Sequence, residues 1–119
     1  MIVSVIGSRS FSNYEQLAQE LDGLVLTTGQ PITEIISGGA RGADTLAERY
    51  ARERGIPLRV LRPDYAAHGR AAPLIRNQAI VDACELVVAF YDGVSKGTAH
   101  ALRLARRRGV RLIVVVPLP

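Results

Sequence analysis

Four segments of the sequence combine glycine with hydroxyl or guanidinium side chains, a combination suited to holding phosphate. They are residues 7–10, 37–44, 62–76 and 92–98. Glycine allows an anion to approach the backbone N–H groups, and a helix that starts just after it adds free donors and a partial positive charge. Gly38 and Gly39 precede one predicted helix, and Gly97 with Thr98 opens another. These segments predict a phosphate site, provided that the fold brings them together.

The elements that position these segments follow from the hydrophobic pattern. Short apolar runs predict strands at 2–6, 32–36, 58–61, 86–91 and 112–116. Amphipathic stretches between them predict helices over 14–25, 43–54, 73–84 and 98–108. Ser12, with Glu15 three residues later, has the pattern of an N-cap in a capping box.

Strands that alternate with helices of ten or more residues pair in parallel through right-handed crossovers. The expected fold is therefore α/β: a Rossmann-like three-layer α/β/α domain with a five-stranded parallel sheet, covering residues 1–119. All four glycine-rich segments then lie at the carboxyl end of the sheet, where open α/β folds bind ligands beside the switch point in strand order. The opposite turns, at 28–30 and 55–57, are shorter and chemically plain.

Length and composition support a single domain without metal or disulfide. The chain has 119 residues, 5% aromatic residues and no tryptophan, so Val, Ile, Leu and Ala must build the core. Cys84 is the one cysteine, and we interpret it as a small buried hydrophobe. The two histidines, His68 and His100, have no Cys or carboxylate at ligand spacing, so neither a metal nor a cofactor is expected.

Charge and hydropathy bear on partners and location. The net charge of +4 and the pI of about 9.8 leave nucleic acid open as a partner. We find no signal peptide and no apolar run long enough to span a membrane, which favours a cytoplasmic protein. The segment from Pro63 to Pro73 is expected to be an irregular loop, either a lid over the site or part of a dimer contact.

The residues of the glycine-rich segments resemble a known family. Gly7-Ser8-Arg9, the string Ser37-Gly38-Gly39-Ala40-Arg41-Gly42-Ala43-Asp44, Arg76-Asn77 and Gly97-Thr98 are similar to those of the small YspA-like families of the SLOG superfamily. That superfamily also contains DprA/Smf domains and Lonely Guy phosphoribohydrolases. The resemblance implies a Rossmann-like sheet that binds nucleotides or nucleotide-derived ligands, often in dimeric sensor or effector modules.

Pattern and resemblance together select the candidate ligand-binding residues. They are Gly7, Ser8, Arg9, Ser37, Gly38, Gly39, Arg41, Gly42, Asp44, Arg76, Asn77, Gly93, Gly97 and Thr98.

The resemblance also bears on catalysis. Lonely Guy enzymes carry Pro-Gly-Gly-x-Gly-Thr-x-x-Glu after the fourth strand, and their Glu serves the cleavage of the base–ribose bond. Ala101 occupies that Glu position here, and Asn77 replaces the Lys of the enzymes' Arg-Lys pair. Asp44 and Asp92 are the candidates for a substitute carboxylate, with Glu48 as a further acidic side chain nearby. Asp44 is equally suited to capping or holding a turn at its helix start.

Three functions remain open at this point. The one we favour is binding of a nucleotide-like phosphate ligand (AMP, ADP-ribose or NAD-like) by a sensor or effector homodimer, without turnover. The first alternative is a Lonely Guy-like phosphoribohydrolase acting on nucleoside 5′-monophosphates. The second is DprA-like nucleic-acid binding through Arg103, Arg106, Arg107 and Arg108, which also complement the negative end of their helix dipole. That surface is expected at the end of the sheet opposite the pocket.

Overall fold

The computed structural model describes all residues, 1–119. Its strands are β1 (Ile2–Gly7), β2 (Glu34–Ser37), β3 (Leu58–Val60), β4 (Leu86–Phe90) and β5 (Arg111–Val115). Its helices are α1 (Tyr14–Thr28), α2 (Ala43–Arg54), α3 (Tyr65–His68), α4 (Ala72–Ala83) and α5 (Lys96–Arg108), with a 3₁₀ turn at Gly69–Ala71.

The five strands form one parallel sheet in the order β3-β2-β1-β4-β5. The strand order reverses between β1 and β4, which are joined in register from Val3 opposite Leu86 to Gly7 opposite Phe90. A crevice therefore opens beyond the carboxyl ends of β1 and β4. The predicted Rossmann-like α/β fold with a five-stranded parallel sheet is confirmed.

Two hydrophobic cores lie on opposite faces of the sheet. Alternate residues of β1 divide between them: Val3 and Val5 pack toward α1 and α2, whereas Ile6 packs toward α4 and α5. In α2 the side facing the sheet is built from alanines, with Ala43 and Ala47 fully buried, so this helix lies close to the strands. The fold thus holds the starts of α2 and α5 at the end of β1, on opposite faces of the sheet.

The element boundaries differ from the predicted ones at several points. Asn13, not Ser12, is the N-cap of α1, because its side-chain oxygen accepts from the Gln16 N–H at 3.0 Å. The second strand begins at Glu34 rather than at residue 32. Helix α5 begins at Lys96, two residues before the predicted start, with Ser95 in the N-cap position. These shifts are small, but the last one places Gly97 inside a helix rather than in a loop.

The segment from Pro63 to Pro73 is more regular than predicted. Asp64 accepts the N–H of Ala67 at 3.0 Å and caps the short helix α3. The 3₁₀ turn leads directly into α4, in whose first turn Pro73 lies as predicted. Cys84 follows the last residue of α4 and is half-buried, and its burial raises the pKa of the thiol.

Candidate functional site

A cavity of about 460 Å³ lies at the carboxyl end of the sheet, in the crevice between β1 and β4. Small-molecule sites are commonly in the range of roughly 300–1,000 Å³. The loops after β1 and β2 line one side of this cavity, and α4 and the start of α5 line the other. The glycine-rich turns therefore meet at one end of the sheet, as predicted.

Half of the candidate ligand-binding residues line the cavity. They are Gly7, Arg9, Asp44, Arg76, Asn77, Gly97 and Thr98. The others are Ser8, Ser37, Gly38, Gly39, Arg41, Gly42 and Gly93, which lie in the same turns without lining the cavity. Their contacts show what they do instead.

The turn after β1 is held by backbone contacts. Ser8 is buried, donates its N–H to the carbonyl of Phe90 at 3.1 Å and accepts the N–H of Ala43 at 3.3 Å through its own carbonyl. A Cβ on Gly7 would lie 2.8 Å from that of Ala43, so glycine allows α2 to approach β1 closely. Arg9 follows this turn, exposed, at the cavity.

The turn between β2 and α2 satisfies its own polar groups. The Ser37 hydroxyl donates to Glu48 Oε2 at 2.8 Å and accepts the Gly39 N–H at 3.1 Å. Gly42 adopts a φ of +79°, and a Cβ there would collide with the carbonyl of Ser8. Ser37 and Gly42 therefore build this turn, while Arg41 is exposed to solvent.

Asp44 is the one acidic side chain that lines the cavity, and it is buried. Its Oδ2 accepts the N–H of Ala40 at 3.0 Å, so it holds the turn and faces the cavity at the same time. Burial raises the pKa of Asp44 to about 6, with Glu48 adding to the rise and the Ala40 N–H and Arg76 opposing it. A carboxyl group with such a pKa is common at functional sites.

Arg76 and Asn77 connect α4 to the turns on both sides of the cavity. The guanidinium of Arg76 donates to the carbonyl of Gly38 at 2.6 Å and to Asn77 Oδ1 at 3.0 Å. Asn77 is buried, and its Nδ2 lies 3.1 Å from His100 Nδ1 and 3.4 Å from the carbonyl of Gly97. Burial, Arg103 and Arg107 lower the pKa of His100, so its neutral ring accepts this hydrogen bond at neutral pH.

The turn between β4 and α5 is organised by Asp92. Its carboxylate accepts the N–H groups of Val94 at 2.9 Å and Ser95 at 2.8 Å, and these bonds lower the pKa of Asp92 to about 2. Asp92, the second candidate for a substitute carboxylate, is therefore ionised at neutral pH. It is exposed and does not line the cavity, whereas Asp44 does.

Gly97 is different from the glycines that build turns. It lies in the first turn of α5 and lines the cavity, and apart from its chain neighbours and its own helix backbone no protein atom lies within 4 Å of the position that a Cβ would take. Its φ is not positive either. Nothing in the fold requires glycine at this position.

Sequence reasoning did not select several residues of the cavity lining. Lys96 adds a cation beside Arg9 and Arg76, and its place in a turn already assigned to phosphate binding was a usable signal. The apolar wall, formed by Ile6, Leu74 and Ile80, carried no such signal, because helix and strand residues of this type are normally core. Ala101, which the sequence resemblance matches to the Lonely Guy glutamate, also lines the cavity and is buried.

No group of three or more His, Cys, Asp or Glu side chains is placed to hold a metal ion. None of the helices combines the length and the apolar composition that a membrane-spanning helix requires.

The comparisons with known proteins agree with this geometry. Residues 1–68 match the model of the YAcAr family, described as the YspA, cpYpsA-related SLOG family. The chain belongs to this family. The Gene 61 protein of Mycobacterium phage D29 is 34% identical to this chain, and the alignment covers 93% of each protein. The resemblance inferred from the glycine-rich strings is therefore confirmed.

Two solved structures of DNA processing protein A (DprA) share the fold of the YAcAr chain. The Helicobacter pylori protein, for which a single-stranded DNA binding mode is described, aligns with a TM-score of 0.73 and 21% identity. The Streptococcus pneumoniae protein aligns with a TM-score of 0.75 and 19% identity. The alignments cover 99% and 98% of this chain, but only 66% and 50% of the two DprA chains. At this level of identity the likeness concerns the fold alone.

Proposed function

We propose that the cavity binds a nucleotide or nucleotide-derived ligand, with a phosphate at the start of α5, and that the protein acts as a sensor or effector module without turnover. The observation that carries this proposal is Gly97. Alanine is preferred over glycine within a helix, yet a glycine stands where an added side chain would meet no protein atom. The missing side chain leaves backbone N–H groups at the helix start open to an anion.

The charges around the cavity support a phosphate ligand. Arg9, Arg76 and Lys96 line it, against the single carboxyl group of Asp44. Arg76 is already fixed by its bond to the carbonyl of Gly38, so little side-chain entropy is lost when its remaining donors bind an anion.

The apolar wall supports a ligand that is more than phosphate. Leu74 lines the cavity and is 50% exposed, which leaves an apolar surface uncovered beside the cations. A nucleotide has this combination of a charged group and a flat, weakly polar base. AMP, ADP-ribose and NAD are therefore the first ligands to test.

The absence of turnover is proposed from Ala101. Cleavage of a base–ribose bond passes through an oxocarbenium-like state that is stabilised by a nearby carboxylate. The Lonely Guy enzymes carry a glutamate at this position, and here a methyl group lines the cavity instead. A homodimer, implied by the resemblance, and the cytoplasmic location expected from the sequence complete the proposal.

The test compares the wild type with Gly97→Val and with the matched control Gly23→Val. Gly23 also lies in a helix with no atom within 4 Å of its Cβ position, but it is in α1, away from the cavity. We expect AMP, ADP-ribose or NAD at 100 times its Kd to raise the Tm of the wild type by about 10 °C. Calorimetric titration should show affinity at least about tenfold weaker in Gly97→Val and unchanged in Gly23→Val.

Two results would contradict the proposal. One is the absence of any thermal shift with every phosphate ligand tested. The other is equal affinity in Gly97→Val and wild type, which would place the ligand elsewhere.

A second candidate function is the phosphoribohydrolase, and Asp44 is the observation that favours it. A buried carboxyl group with a pKa of about 6 is able to act as an acid near neutral pH. Chromatography of the AMP titration samples tests this directly. Steady release of adenine that stops in Asp44→Asn would replace the binding proposal by the enzyme.

A further inference from the structure

Three exposed cations form a basic ridge along α5: Lys96, Arg103 and Arg107. Their spacing of seven and four residues places them on one side of the helix, with the neutral, partly buried ring of His100 between Lys96 and Arg103. Lys96 also lines the cavity, so the ridge begins there. At 1.5 Å per residue it extends for about 16 Å toward the other end of the sheet. Arg103 and Arg107 therefore lie on the same helix face as Lys96, a residue of the cavity lining.

The protein itself does not neutralise the cations of this ridge. In α5 only Arg108 forms an ion pair, with Asp82 at 3.1 Å, and it lies off the ridge. In α2, by contrast, Arg49 and Arg54 are paired with Glu53 and Asp22. The charges of the ridge remain available to an external polyanion.

The helix dipole does not account for the ridge. It favours cations in the last turn, which includes Arg107, but it disfavours a cation at the first residue, where Lys96 stands. A row of cations over the whole length of a helix instead suits a chain of phosphates. Arginine in particular binds phosphate through paired donors.

We propose that the basic ridge binds the backbone of a single-stranded nucleic acid whose terminal nucleotide occupies the cavity. This inference rests on the proposed function of the cavity. A stacked strand rises by about 3.4 Å per nucleotide, so the ridge spans about five nucleotides beyond the first. The ridge carries no aromatic side chain to stack on bases, so binding reads the charge of the backbone and depends little on sequence.

The experiment measures affinity against oligonucleotide length. The ligands are dAMP and 5′-phosphorylated oligodeoxyadenylates of two, four, six and ten nucleotides, titrated at several salt concentrations. The variants are Arg103→Gln/Arg107→Gln and the control Arg52→Gln, which removes an exposed, unpaired cation from the last turn of α2. Melting temperatures confirm that each variant is folded.

We expect the affinity of the wild type to rise at least about tenfold from dAMP to the hexamer and then to level off. The double variant should bind dAMP as the wild type does and lose the gain with length. Its slope of log K against log salt should fall by about 1.4, for two single-strand phosphate contacts. Arg52→Gln should behave as the wild type.

The outcomes separate the two proposals. Binding of dAMP with no gain in the hexamer overturns the basic ridge and leaves the cavity proposal standing. A gain that persists in the double variant, or that is insensitive to Gly97→Val, also overturns the ridge proposal. Failure of all ligands, dAMP included, overturns the cavity proposal together with it.

Discussion

Glycines lie at the starts of both α2 and α5, but the fold uses the two in different ways. Before α2, Gly42 has a positive φ and is packed against the carbonyl of Ser8. In α5, Gly97 has neither constraint. The long glycine string that carries the family resemblance mostly builds a turn, whereas the shorter and less specific Gly-Thr pair faces the ligand space.

The helix layers on the two faces of the sheet also differ in charge. Helices α1 and α2 contain six acidic and three basic residues, whereas α4 and α5 contain one acidic and six basic residues. Because β1 lies at the centre of the sheet, the cavity at its end borders both layers. Asp44 comes from the acidic layer, and Arg76 and Lys96 come from the basic layer. The start of α2 therefore holds the turn together, and the start of α5 is where we propose that the anion binds.

The largest change in the free energy of unfolding is expected for Gly42→Ala. Alanine must adopt a conformation that is nearly restricted to glycine, and its Cβ collides with the backbone of Ser8. We expect the free energy of unfolding, measured with denaturant, to fall by about 3 kcal/mol or more. Gly55→Ala is the control, because Gly55 has a φ of +66° with no atom near its Cβ position. Similar losses in the two variants would show that the close approach of α2 to the turn after β1 contributes nothing.

Asp44→Asn is expected to raise the free energy of unfolding, by less than Gly42→Ala lowers it. The folded-state pKa of about 6 is above the unfolded value of about 3.9, so the folded protein holds this proton more tightly. The stability that comes from the protonated group is complete below about pH 4 and is lost as the pH rises through about 6. The amide still accepts the Ala40 N–H and carries no charge, so Asp44→Asn should stabilise the protein by about 2 kcal/mol at pH 8.

Denaturant unfolding of Asp44→Asn and wild type between pH 4 and pH 8 checks this expectation. The difference between the two should grow with pH and level off above pH 7. Glu53→Gln is the control, because Glu53 is paired with Arg49 on the exposed side of the same helix. A constant difference over the whole range would mean that Asp44 does not titrate in the folded protein near pH 6.

The sequence allowed the fold to be predicted because short apolar strands alternate with amphipathic helices along the chain. The element boundaries were predicted less closely, since Lys96 and Gly97 belong to α5 but precede its apolar periodicity. Helix α3 was missed because four residues show no periodicity.

The candidate site could be predicted as a place but not residue by residue. Parallel topology alone brings the turns to one end of the sheet. Which side chains face the cavity depends on the local turn: Ser37 turns toward Glu48, and Asp44 turns back to Ala40 and still faces the cavity. The apolar wall from α4 depends on how that helix is rotated against the sheet, which a pattern of mixed Leu, Ile and Arg does not determine.

The smallest effect is expected for the stability of Gly97→Ala, and it is the sharpest test of the comparison. A methyl group here meets no protein atom and reduces the freedom of the unfolded chain, so the free energy of unfolding should rise by about 0.5 kcal/mol. Gly23→Ala in α1 should give a similar rise, because its surroundings are equally open. The two variants should separate only when ligand is added: a saturating nucleotide should stabilise Gly23→Ala as much as the wild type and Gly97→Ala less. A loss of stability in ligand-free Gly97→Ala would mean that the fold itself requires this glycine, and the contrast between the two helix starts would then disappear.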